Sequence, residues 1–262
     1  MIEAILNHHH IKHFNIAITT IGWVILLILI KYLIHFFKWE FLEINTLTGS
    51  AIAGATFICG FLLSGLITDY KEAEKIPSEL RASLENILEE AVVFKKSKTT
   101  FKILPLKETL KKVISNFFLG ISHEQNHINL KPCLQSIDEL SQHFYEMEQL
   151  GMPPNYLVRL KTEQGNIRRS VLRVLHIQRT QFIPSAYILG QSIVCLIIFL
   201  LLFIKSEGSP ESFVLFGFIS YMFLYIVRLI TKIEQPFQEG DFSRDDVSLF
   251  LLHDFEDKLK NK

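Results

Sequence analysis

LTGSAIAGATFICGFLLSGLI, residues Leu47 to Ile67, contains no charged side chain. About 20 apolar residues are what a helix needs to cross the hydrocarbon core of a bilayer. A buried helix of a water-soluble domain seldom runs so long without a charge, because one of its faces usually meets water. Three further stretches repeat the pattern: Phe14–Phe37, interrupted only by Lys31 and His35; Phe182–Ile204, with no charge; and Phe213–Ile230, with Arg228 alone. The expected fold class is therefore an all-α membrane protein with four transmembrane helices arranged as two hairpins.

The two links between the runs are short. One holds Lys38, Glu40 and Glu43, and the other, Lys205–Glu211, contains the helix breakers Gly208 and Pro210. The chain divides into an N-terminal segment 1–13, a hairpin 14–68, a polar region 69–181, a second hairpin 182–231 and a C-terminal segment 232–262. Basic residues crowd the ends of the runs away from the links (Lys12, Lys71, Lys75, Arg173, Arg179, Arg228 and Lys232), whereas the links carry Lys38 and Lys205. The positive-inside rule puts both termini and the region 69–181 in the cytoplasm, with a bacterial inner membrane as the expected location. No small-residue cleavage site follows the first run at Ile30–His35, so that run is read as a retained helix.

The polar region reads as helices. Ile76, Leu80, Leu84, Ile87, Leu88 and Ala91 recur at three- and four-residue steps, an amphipathic stripe continuous with the second run apart from a bend at Pro77. Further helices are expected over Lys107–Leu119, ending at Gly120; over Cys133–Leu150, ending at Gly151; and from Pro153-Pro154 to about Gln181. No alternation typical of strands appears.

Catalytic signals are few. Cys59, Cys133 and Cys195 form no CxxC pair, and they read as small buried apolar residues. Phosphate-binding glycine loops, nucleophile elbows and dinucleotide fingerprints are missing. His123-Glu124-Gln125-Asn126-His127 spells the zinc-peptidase pattern, which needs both histidines on one rigid helical face beside the glutamate. Asn126 lies within it and Gly120, Asn129 and Pro132 flank it, so the stretch reads as a loop, with a zinc peptidase using His123, Glu124 and His127 as the alternative. His8-His9-His10 with His13 can hold metal opportunistically but reads as an interfacial polar segment. No cofactor and no enzymatic step are expected.

Two features suggest permeation instead. The second run is crowded with small residues, among them Gly49, Ala53, Gly54, Gly60, Ser64 and Gly65, which allow close helix approach. Bulky residues recur among them, with Ile58, Leu62 and Leu66 on one face and Phe57 and Phe61 on the adjacent one. Several copies of this helix around an axis would form an apolar constriction that gates by dewetting, and Ile58, Leu62 and Leu66 are its expected lining. Between Arg159 and Arg179 lie Arg159, Lys161, Arg168, Arg169, Arg173 and Arg179 against Glu163 alone. That excess would attract anionic lipid headgroups or concentrate small inorganic anions. It is too short and too poor in aromatics for nucleic acid.

Short motifs add a resemblance. Arg179-Thr180-Gln181-Phe182-Ile183-Pro184-Ser185-Ala186-Tyr187 resembles the R-T-P-I-P-F-A-Y stretch of bacterial bestrophins, with Pro184 and Tyr187 at matching places. Ile233-Glu234-Gln235-Pro236-Phe237-Gln238 is similar to their I-E-D-P-F-G, and Asp246-Val247-Ser248-Leu249 to their D-L-P-L. The resemblance implies a pentamer with a central anion-conducting (chloride) pore, a neck on the second membrane helix and a helical cytoplasmic vestibule. Aligned on Leu63-Ser64-Gly65-Leu66, it puts Ile58, Leu62 and Leu66 at the neck. Pro184 is expected to break or bend the third membrane helix where it enters the bilayer, because its ring removes one backbone donor, and Pro236-Phe237 to anchor the tail against the cytoplasmic helices. After the second run the family's tryptophan- and arginine-rich segment is replaced here by Thr68-Asp69-Tyr70-Lys71-Glu72. The calcium clasp of animal members corresponds to a looser acidic set, Glu239, Asp241, Asp245 and Asp246. A non-conducting membrane scaffold or sensor is the other alternative.

Overall fold

A computed structural model of the chain describes residues 15–121, 129–179, 184–206, 208–233, 236–237 and 246–260. The described residues form helices α1 (Asn15–Phe36), α2 (Thr46–Ser97), α3 (Ile103–Ile121), α4 (Lys131–Gln149), α5 (Pro154–Arg179), α6 (Pro184–Phe203), α7 (Pro210–Ile233) and α8 (Phe250–Lys260). Among them the one β-type contact is an isolated bridge between Leu42 and Ile204. The chain separates into two compact units, one of residues Met1–Tyr70 with Gln181–Glu234, the other of Lys71–Thr180 with Gln235–Lys262.

The first unit contains the apolar helices. α1, α2 and α7 each hold a segment long and apolar enough to cross a membrane, and α6 holds a shorter apolar stretch, Tyr187–Phe203. α1 packs on α7 and α6, and α6 on α7. The core joins Ala55 and Cys59 of α2, Val194, Ile197 and Leu201 of α6, and Phe216 and Phe223 of α7. Near the end of α7, the Arg228 guanidinium donates to Thr19 Oγ1 of α1 at 2.6 Å. Large apolar side chains such as Trp23, Leu29, Phe199 and Phe218 remain exposed around this core. That is the polarity of a body meant for lipid or for other membrane helices.

The second unit is built as a water-facing helical domain, with one buried stripe per helix. Ile76, Leu80, Leu84, Ile87, Leu88 and Ala91 of α2 are all buried. Pro77 lies inside an unbroken α2, although its ring leaves one carbonyl of the preceding turn without its usual donor. α3 begins at Ile103, a turn earlier than its periodicity indicates. Pro105 falls in the first turn, where backbone N–H groups have no intrahelical partner, so it starts this helix without disrupting it. α4 ends in a Schellman turn: Gly151 N–H donates to Glu148 O at 2.9 Å and Met152 N–H to Met147 O at 3.0 Å. Gly151 supplies the left-handed φ of 85° that this motif requires. α4 packs between α3 and α5.

α8 lies on α3 and closes the unit. Leu252 and Phe255 are fully buried, and Arg81 donates to Leu251 O at 3.3 Å. Lys258 pairs with Glu85, and this hydrogen bond outweighs burial to hold the Glu85 carboxyl below its usual 4.5. A depressed carboxylate contributes stability above its unfolded pKa and loses it as pH falls through the folded value. Glu85→Gln is expected to speed amide exchange in α8 about fivefold at pH 7, equivalent to roughly 1 kcal/mol for a partly exposed pair. As pH falls below the usual carboxylate range and through the lowered value of the folded state, the native chain and the variant should converge, since the native carboxyl then loses its charge.

Candidate functional site

α2 turns two different faces outward and inward within the first unit. Cys59 and Leu66 are 1% and 4% exposed and pack inward. Leu62 touches α6 where Gly190 makes room: a Cβ at that glycine would lie 3.0 Å from Leu62 Cδ1. Leu62 therefore turns into the packing of its own unit and Leu66 is buried on the same side, with half-buried Ile58 at the edge of that face. On the opposite side Ser50, Ala53, Phe57, Phe61, Ser64 and Thr68 are exposed, with Phe57 at 75% and Phe61 at 72%. A Cβ added at Gly49, Gly54 or Gly60 would meet nothing within 4 Å, so no neighbour in this protomer makes use of their small size.

Part of the basic charge on α5 is paired inside its own unit. Arg159 pairs with Glu90 at 2.7 Å, Arg168 with Asp138 and Arg173 with Glu72. Lys161 donates to Ser141 Oγ at 2.7 Å. Three of the six basic residues in this segment are thus met by acids from α2 and α4.

The motif residues sit at element ends. Pro184 is the first residue of α6. Thr231 donates its hydroxyl proton to Val227 O at 3.0 Å, which leaves Tyr187 OH to donate to Thr231 Oγ1 at 3.1 Å and accept from Gln191 Nε2 at 2.6 Å. Pro236 O accepts from Val247 N–H at 2.7 Å. Phe237 is 1% exposed, and its carbonyl accepts from Gln178 Nε2 of α5 at 2.8 Å. Asp246 is described beside Val247, while Glu239, Asp241 and Asp245 lie outside the described residues. His123, Glu124 and His127 lie outside them as well, as do His8, His9, His10 and His13. Among the described residues no three His, Cys, Asp or Glu side chains are grouped as metal ligands.

One polar cluster was not legible in the sequence. Lys31 of α1 is 3% exposed and Glu40 of the α1–α2 link 8%, and they pair at 2.7 Å. Lys31 Nζ also donates to Leu202 O at 3.0 Å and to Ile204 O, using its three protons on one carboxylate and two carbonyls at the C-terminal end of α6. Glu40 further accepts from His35 Nδ1 at 3.0 Å, and from Ser206 N–H and Ser206 Oγ at 3.1 Å each. Burial alone would raise the Glu40 carboxyl, but hydrogen bonds from Lys31, His35 and Ser206 outweigh it and bring it to about 2. The only signal in the sequence was a lone cation within an apolar run and an acid nine residues later.

No protein-family model matches the sequence, and no curated protein matches it. Solved structures do match. A bacterial Bestrophin homolog from Klebsiella pneumoniae, in a mutant form, superposes with a TM-score of 0.75 at 11% identity, covering 94% of this chain and 98% of that one. Another mutant of the same homolog gives 0.76 at 10% identity, over 93% and 98%. The crystal structure of a protein described as a membrane protein gives 0.77 at 11% identity, over 92% and 96%. At such identities the likeness is one of architecture, and over more than nine-tenths of its length this chain has the fold of bacterial bestrophin homologues.

Proposed function

We propose that the chain is one subunit of a homo-oligomeric membrane channel that passes small anions along an axis lined by α2. The observation carrying this reading is the exposed face of α2, with Phe57 and Phe61 at its centre and small or hydroxyl residues around them. Glycines that no neighbour in the protomer approaches favour close association of copies, since small residues bring membrane helices together. Ringed around an axis, Phe57 and Phe61 form the apolar constriction, with Ser50 on one side and Ser64 and Thr68 on the other. This choice of face replaces the expected lining by Ile58, Leu62 and Leu66, two of which serve packing against the same protomer.

The remaining assignments follow the bestrophin fold and the charge pattern. Five copies, chloride as the conducted ion and α6 as the fourth crossing are part of the proposal. So are the cytoplasmic placement of the termini and of the region 69–181, and the bacterial inner membrane. Permeation is passive, by desolvation at the constriction, with no covalent step. Purified protein in planar bilayers tests the reading: native protein should show anion-selective steps that grow when Phe57 and Phe61 are both cut to alanine. Leu62→Ala should instead lower thermal stability with little change in conductance. Oligomers that never conduct, with or without the phenylalanines, would refute the channel.

A further inference from the structure

We propose that the α1–α2 link, residues 37–45, lies in the lipid interface with its aromatic side chains in contact with acyl chains. It is a membrane-contacting wedge rather than a loop standing in water. The inference rests on the membrane character of the first unit and is independent of whether the protein conducts.

The link turns its rings outward. Phe36, Phe37, Trp39, Phe41, Ile44 and Leu47, in and flanking it, are between 57% and 78% exposed. Glu40, in their midst, is 8% exposed and saturated by Lys31, His35 and Ser206. Lys38 and Glu43 are exposed beside the rings, Glu43 pairing with Lys205 at 2.7 Å. A loop meant for water turns its rings inward, whereas rings and charges outward together suit the boundary between acyl chains and headgroups.

The backbone says the same. Helix ends leave carbonyls that water normally satisfies. At the end of α6 these carbonyls are taken by protein donors instead. Phe203 O accepts from Phe41 N–H at 3.2 Å and from Leu42 N–H at 3.1 Å, and Lys31 takes Leu202 O and Ile204 O. Lys205 N–H returns to Leu42 O at 2.7 Å. Internal satisfaction of this kind is required where no water is at hand. The aromatic surface also continues from α1, whose exposed Tyr32 and Leu33 lie one turn before Phe36. Phe37 and Trp39 stack with centroids 5.5 Å apart, presenting one flat aromatic surface of the type enriched at membrane interfaces. Exposed Lys38, held at a φ of 56°, is free to reach the headgroups.

The sequence has two tryptophans, so Trp23→Phe leaves Trp39 as the sole indole emitter. Reconstituted into phosphatidylcholine vesicles, this variant should lose roughly half its emission or more when the lipid is brominated near the glycerol end of the acyl chain. Bromines near the methyl end should quench less, and aqueous iodide should have little effect. Strong iodide quenching without bromolipid quenching would overturn the proposal in favour of a water-exposed loop. Insensitivity to both quenchers would overturn it in favour of cover by a second copy of the chain. If Trp23→Phe fails to assemble, Trp39→Phe measured against the native protein isolates the same emission by difference.

Discussion

Replacing Glu40 with alanine is expected to destabilise the protein by about 3–5 kcal/mol, the cost of leaving one member of a buried ion pair without its partner. Lys31 would be left in a site 3% exposed with two carbonyls and no anion. Lys31→Met should be milder, because Glu40 would still accept from His35 and from Ser206. The double variant Lys31→Met with Glu40→Leu should recover part of the loss, since it leaves no unpaired buried charge. Full recovery is not expected: Leu202 O and Ile204 O would lack their donor, at about 1–3 kcal/mol for each group left unsatisfied. Thermal unfolding in detergent should rank native above double variant above Glu40→Ala. A Glu40→Ala protein as stable as the native chain would show that the cluster is dispensable.

Cutting Phe57 and Phe61 together should produce the largest functional change. Each side chain projects about three-quarters of its surface from the protomer. In the proposed ring they exclude water from the axis, and an ion crossing there sheds hydration without replacement. Alanine widens the ring and lets water stay. Lowering the barrier by about 1.4 kcal/mol multiplies the rate of passage about tenfold, so a conductance gain of about three- to tenfold is the expected range. Selectivity should weaken at the same time, because a hydrated ion is less distinguished by size. Unchanged single-channel conductance in the double variant would remove α2's exposed face from the pathway.

The apolar runs and the stripe from Ile76 to Ala91 were legible because charge is costly in a bilayer or core and helical periodicity marks a buried face. Gly151 and Pro153 marked the end of α4 and the start of α5 through backbone geometry, which is local. The beginning of α3 was less clear, since Pro105 reads as a breaker until its place in the first turn is known. The inward face of α2 could not be read at all. Both faces are apolar at helical spacing, and the choice is made by Gly190, more than a hundred residues away in sequence. The same holds for α5, where basic residues looked unopposed because Glu72, Glu90 and Asp138 belong to other helices. Lys31 is the extreme case, reading as an interruption when its carbonyl partners lie 171 and 173 residues ahead.

That separation sets a timetable for biosynthesis. Glu40 leaves the ribosome almost together with Lys31, but Leu202 and Ile204 follow only after the whole intervening stretch has been made. At about 5–20 residues per second, roughly ten to thirty seconds pass before the last partners exist. For that interval Lys31 is only partly coordinated, and the link after α1 has no α6 terminus to close against. Synthesis of α6 thus completes the site begun by α1 and its link, and a chain arrested between them would present that site half made for the cell's chaperones and proteases to recognise.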